Sequence, residues 1–285
     1  MSDLLKLVAP LSVAAIVFAQ GLSIAPSLVL NLFKWRLGVV PRILIAALVL
    51  VPAAALAIIL GLHADQPIAI GLAILVACPP APLMFSNAPK KGASAAFMAR
   101  LHLGFSALAF LTVPAILYIL SGALGFEAVI DLGTMGWILA RTNLLPIILG
   151  VTVRGLAPTV ADRLAPIVGK AGTIGISVVV LAALAKFYPA LLNMNLWSYL
   201  IIALVSVAAL AIGHFSGSDD PHERTGLAIE CGVRHPALAI TIAAANFGSE
   251  RALPVLVPCV LTFIAIATVY LAFRGRAVAL VEGRK

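Results

Sequence analysis

Charge is scarce in this chain. Only 11% of its 285 residues are Asp, Glu, Lys or Arg, while 62% are hydrophobic and the mean hydropathy is +1.14. A soluble globular domain carries about 25% charged residues, so a water-soluble fold is excluded. Acidic residues are scarcer than basic ones, 11 against 19, for a formal net charge of +8. In a soluble protein that excess would point to nucleic acid. Here the basic residues gather between apolar runs, where they orient membrane spans, and no nucleic-acid partner is expected. Cysteine is nearly absent. Cys78, Cys231 and Cys259 are odd in number and all lie in apolar stretches, which excludes a disulfide framework. The apolar runs are long and lack two-residue alternation, which excludes a transmembrane β-barrel. No phosphate-cradling loop, nucleophile elbow or HExxH motif occurs. His102, His235, Cys78, Cys231 and Glu230 share no chelating spacing. An enzyme, a metal site and a cofactor are therefore not expected. The first apolar run follows Asp3 and Lys6 and has no small-residue cleavage site after it, so it reads as a span and not as a signal peptide.

What the chain has is hydrophobic length. About 20 apolar residues make a helix that crosses a bilayer, and nine runs qualify: 5–23, 42–62, 67–88, 93–120, 134–153, 171–191, 196–214, 224–247 and 252–273. The fold class predicted is an all-α polytopic membrane protein, a single domain over 1–285. Nine spans put the termini on opposite sides. With the amino terminus outside and the carboxyl terminus cytoplasmic, thirteen of the nineteen basic residues face the cytoplasm and only Lys6, Lys186 and Arg251 face outward. This bias predicts a multi-pass protein of the cell's inner (plasma) membrane. The last three basic residues, Arg100, Arg141 and Arg234, fall inside spans. Arg141 is near enough to a helix end to snorkel.

Two spans carry interruptions. The third contains Pro79, Pro80 and Pro82, which cannot continue a helix, and the eighth contains Gly232 and Pro236. They run in opposite senses through the membrane, as corresponding helices of an inverted repeat must. The repeats would cover about 1–120 and 134–273. The second interruption also holds the run Glu230-Cys231-Gly232-Val233-Arg234-His235-Pro236. A carboxylate, a guanidinium and an imidazole in hydrocarbon cost several kcal/mol unless they face each other, water or a ligand. An ion or substrate site at membrane depth is the expectation. His235 reads three ways: a satisfied buried histidine, a proton carrier or a substrate contact. Gln20 and Asn143 are polar groups that could face a cavity or bridge helices, and His102 reads as packing.

The order Cys78-Pro79-Pro80, Ser86-Asn87, Leu144-Leu145-Pro146-Ile147-Ile148-Leu149-Gly150 and Glu230-x-Gly232 resembles the bile acid:sodium symporter family. The resemblance covers nearly the whole chain and implies a core domain, in which the two broken helices cross, beside a panel domain. The family pattern has ten spans, and the first has no counterpart here. The family binds two sodium ions near the crossing. By position Ser86, Asn87 and Glu230 match its ligands. Arg234 stands where the family has Gln, His235 where it has Asn, Arg100 where it has a hydroxyl, and Leu48 near where it has Gln.

A guanidinium has donors only and keeps its charge, so it cannot ligate sodium. The expectation is that Arg100 and Arg234 replace the two sodium ions as tethered cations, neutralise Glu230 and hold the crossing together. The function expected is a sodium-independent secondary transporter of a small organic anion, with proton coupling through His235 or Glu230 as one option. A membrane sensor or binding subunit on the same fold, and a conventional sodium-coupled symporter, are the alternatives.

Overall fold

The computed structural model describes residues 3–27, 39–81, 88–127 and 132–282. The described residues form ten helices, a 3-10 turn at Pro89–Lys91 and no strand: α1 (Asp3–Ser23), α2 (Val40–Gly61), α3 (Gln66–Ala77), α4 (Ala95–Leu124), α5 (132–156), α6 (Pro158–Asn193), α7 (Leu196–Ser216), α8 (Pro221–Gly232), α9 (Pro236–Phe247) and α10 (Ser249–Glu282). Six contain stretches long and apolar enough to cross a bilayer: Val40–Gly61, Ala95–Leu124, Gly136–Leu156, Pro158–Pro189, Leu196–Ser216 and Arg251–Gly275. Pro10–Ser23, Gln66–Ala77 and Pro236–Phe247 are apolar but shorter. Large apolar side chains such as Leu111, Ile119, Ile167, Leu181 and Phe273 lie exposed along these helices. Only a bilayer makes so much exposed apolar surface favourable, and the chain is an all-α membrane protein.

Local chemistry sets the helix limits. Pro41, Pro67, Pro221 and Pro236 sit in first turns, where a missing N–H costs nothing. Ser94 Oγ accepts from Phe97 N, Asn195 Oδ1 from Ser198 N and Asp220 Oδ1 from His222 N, each closing a helix amino end. Helices α4 and α9 end on Gly125 and Gly248, whose φ of 68° and 75° suit glycine.

Two of the prolines inside helices follow a π turn. In α2 and α5 a π turn, Ala46–Leu50 and Ala140–Leu144, lies just before Pro52 and Pro146. In each, one i→i+5 bond closes the turn (Val51 N to Ala46 O, Leu145 N to Ala140 O), and the next residue is the proline, with no N–H to donate. The carbonyls of Ala47 and Arg141 are left needing another donor.

The helices pack as two groups. Helix α1 lies against α5 and α6. A Cβ on Gly21 would stand 2.9 Å from Gly150 Cα, and one on Gly172 would stand 2.8 Å from Ser12 O, so backbone rests on backbone there. The second group holds α2–α4 and α7–α10. Its interior divides at the level of the helix breaks. Leu72, Leu75, Val113, Leu117, Ile202, Leu256 and Phe263 fill one end, while Ile43, Phe97, Met98, Leu210, Ile229 and Leu271 fill the other. The groups meet along a thin seam where Val13, Val17 and Ile147 pack on Ala99, Leu103 and Ala237, and where Phe187 of α6 packs on Leu253 and Val257 of α10.

Candidate functional site

The two interruptions meet. Helix α3 stops at Ala77 and the chain runs extended through Cys78–Ala81, while α8 stops at Gly232 and α9 restarts at Pro236. The extended pieces pair antiparallel: Ala81 N donates to Val233 O at 2.8 Å and His235 N to Pro79 O at 2.8 Å, flanking a bridge between Pro80 and Arg234. Each break thus supplies the other with partners its own helix lost, as backbone at membrane depth requires. Gly232 permits the approach of α7, because a Cβ there would press into the Leu210 side chain.

Arg234 sits at this junction, 4% exposed, and each of its three nitrogens donates to a main-chain carbonyl. Nε reaches Cys231 O at 3.0 Å, Nη1 reaches Cys78 O at 3.3 Å and Nη2 reaches Ala47 O at 3.1 Å. The three acceptors have one origin. Cys231 and Cys78 are at the carboxyl ends of α8 and α3, where carbonyls lack helical donors and the helix dipole is negative. Ala47 O is the π-turn carbonyl that Pro52 cannot serve. The guanidinium gathers three carbonyls, from three helices, that prolines and helix ends leave unserved.

Glu230 is 2% exposed, and its Oε2 has no hydrogen-bond partner among the described residues. It lies one turn beyond Gly226, whose position faces Phe97 and Met98, so it points from α8 toward α4. No salt bridge within 4.0 Å joins Glu230 to Arg100 or Arg234 among the described residues, Arg234 being turned onto carbonyls, although Glu230 and Arg234 lie within electrostatic reach of each other. Met98 packs at the crossing beside Ala81 and Val233, and His102 follows it one turn later on the same face of α4. At about 100° per residue Arg100 falls about 160° round the helix from Met98 and about 60° from Phe97, which faces α8 at Gly226. Arg100 is half-buried there, and its Nε has no partner among the described residues. The spacing from Asn87 that suggested an ion position carries no information about which face of α4 the residue takes.

His235 is 1% exposed and closes the amino end of α9: its Nδ1 accepts from Leu238 N at 3.2 Å, and its Nε2 is buried without a partner among the described residues. His102, also buried, lies within electrostatic reach of it. Pro79 and Pro80 form the first break, and Gly232 and Pro236 bound the second. Pro82, Ser86 and Asn87 lie outside the described residues. Cys78 and Cys231 are buried free thiols beside the breaks, and their carbonyls are what Arg234 engages.

One contributor lay beyond the sequence reading, and one polar group named there gains a definite place. Ala47 is unremarkable as a residue type, and its signal was Pro52 five positions on. Asn143 is 1% exposed in the α5 π turn; its Nδ2 donates to Thr142 Oγ1 at 3.1 Å, and its Oδ1 is buried without a partner among the described residues. The grooves on the surface lie elsewhere. One of about 530 Å³ surrounds Tyr118–Glu127, and one of about 490 Å³ runs between α3, α9 and α10 beside Phe247 and Val255. Neither is lined by a residue of the crossing. No protein-family model matches the chain, and no curated protein shows significant similarity to it.

Proposed function

We propose that the chain is a secondary transporter of a small organic anion that works by alternating access without sodium, Arg234 taking the place of a bound cation. The observation that carries this reading is the guanidinium held by the carbonyls of Ala47, Cys78 and Cys231 at the junction of two broken helices. Carbonyl oxygens at helix carboxyl ends favour a cation at broken-helix sites in transporters. Here that charge is covalently attached, so it neither dissociates nor needs loading. A sodium ion would have to displace a guanidinium from the same oxygens. Arg100 makes no hydrogen bond to these carbonyls, and one tethered cation replaces the two first expected.

In this reading the half-helices join across their breaks into nine spans, with the amino terminus outside the plasma membrane. The segments of about 1–120 and 134–273, the second beginning with α5, form inverted repeats, as in the bile acid:sodium symporter family that the motifs resemble. The group of α1, α5 and α6 acts as the panel and the rest as the core. The thin apolar seam between them supports relative movement, since few contacts need to break. The amino end of α9 at the crossing supports an anion as cargo.

The test is uptake into proteoliposomes of a panel of radiolabelled small carboxylates and sulfonates, in sodium, potassium or choline at constant ionic strength. Equal uptake in the three is expected. A strict sodium requirement overturns the tethered-cation mechanism, and saturable binding without uptake of any member makes the chain a sensor instead.

A further inference from the structure

Two buried side chains, one on each side of the seam, each leave one polar atom unused, and in both the hydrogen-bond network decides which atom is left over. Leu238 N–H donates to His235 Nδ1 at 3.2 Å, so that nitrogen carries no proton, and in the neutral ring Nε2 bears the N–H. Nε2 is therefore a donor, buried and without an acceptor among the described residues. Thr142 Oγ1 spends its own proton on Ile138 O at 2.6 Å and can only accept from Asn143 at 3.1 Å. The amide must then turn its Nδ2 to Thr142, which leaves Oδ1 as an acceptor with no donor among the described residues.

Each residue belongs to one side of the seam. His235 opens α9, two residues before Ala237, which packs in the apolar cluster with Ile147. Asn143 lies one turn before Ile147, and its π turn packs on α1 and α4. Leaving a buried donor or acceptor unmade is costly, and two at one interface call for a ligand that carries the complements. The acceptor it brings to His235 sits at the positive amino end of a 12-residue helix, which favours a carboxylate. The donor it brings to Asn143 has no carboxylate partner there, so a neutral hydroxyl costs less to bury than an ammonium.

We propose that His235 and Asn143 form a two-point site for a small hydroxy acid, with the carboxylate accepting from His235 Nε2–H and the hydroxyl donating to Asn143 Oδ1. This rests on the transporter reading and names its substrate class. It also gives the cargo a hold on both helix groups at once.

The experiment measures binding of glycolate and lactate, and of acetate and propionate as their deoxy analogues, to the full chain in nanodiscs by calorimetry, alongside proteoliposome uptake. The hydroxy acids are expected to bind at least about tenfold tighter than the deoxy acids. His235→Asn keeps an acceptor for Leu238 N and so keeps the helix closed, but removes the far donor. It should weaken every acid by about 10- to 100-fold while leaving the melting temperature near that of the wild type. Asn143→Ala should abolish the preference for hydroxy over deoxy acids. The site is overturned if the wild type binds none of these acids, or if His235→Asn binds them unchanged. Uptake of other anions by a chain that binds none of the four removes this site and leaves the transporter; binding of lactate without any uptake removes the transporter and leaves the site.

Discussion

At the scale of single residues, Arg234 shows why a buried charge is read by its partners and not by its sign. Four residues after Glu230, it would meet that carboxylate on an unbroken helix. The break turns it instead onto three carbonyls, and the charge becomes a staple between α2, α3 and α8. Removing it exposes each carbonyl to a loss of about 1–3 kcal/mol. Arg234→Met is therefore expected to destabilise the protein by roughly 3 kcal/mol or more, seen as a large fall in melting temperature in detergent. Arg234→Lys, a single ammonium in place of a three-way fork, should recover only part of it. A melting temperature unchanged in Arg234→Met would show that the carbonyls have other partners.

At the scale of elements, prolines and glycines do the positioning. Pro52 and the proline cluster of Cys78–Ala81 create the vacancies that Arg234 fills, and Gly232 lets α7 close on the second break. Pro52→Ala supplies the missing N–H, so Ala47 O is satisfied within its own helix. Arg234→Met should then cost less in a Pro52→Ala background than in the wild type, a coupling that a double-mutant cycle on thermal unfolding measures. Gly150 plays a simpler part. A side chain there meets α1 backbone, and Gly150→Val is expected to cost about 1–3 kcal/mol by overpacking and to loosen α1 from α5. Increased protease cleavage of α1 would report it.

The whole molecule consists of two helix groups joined by a thin apolar seam. If cargo crosses by movement of one group against the other, tying them stops it. Leu103 of α4 and Val151 of α5 belong to the same cluster across the seam, and the native cysteines are all buried. Replacing both by cysteine and oxidising should abolish uptake, and a reductant should restore it. Undiminished uptake after verified cross-linking would rule out relative movement as the transport step.

Much of this protein was decided by sequence alone. Hydrophobic length dictates membrane helices, because a bilayer leaves backbone groups no partner except the helix itself. Proline and glycine dictate where two of those helices stop, because one lacks a donor and the other permits close approach. Both are local effects, so Pro79, Pro80, Gly232 and Pro236 could be read directly as breaks. What the freed backbone groups then found was not local. That the breaks pair with each other and that Ala47 turns a carbonyl to Arg234 depend on how helices distant in sequence pack and rotate. The same holds for His235 Nε2 and Asn143 Oδ1. Their neighbours in the chain consume one polar atom of each, and only the tertiary fold leaves the remaining two buried, because burial is a property of the packed molecule and not of the residue.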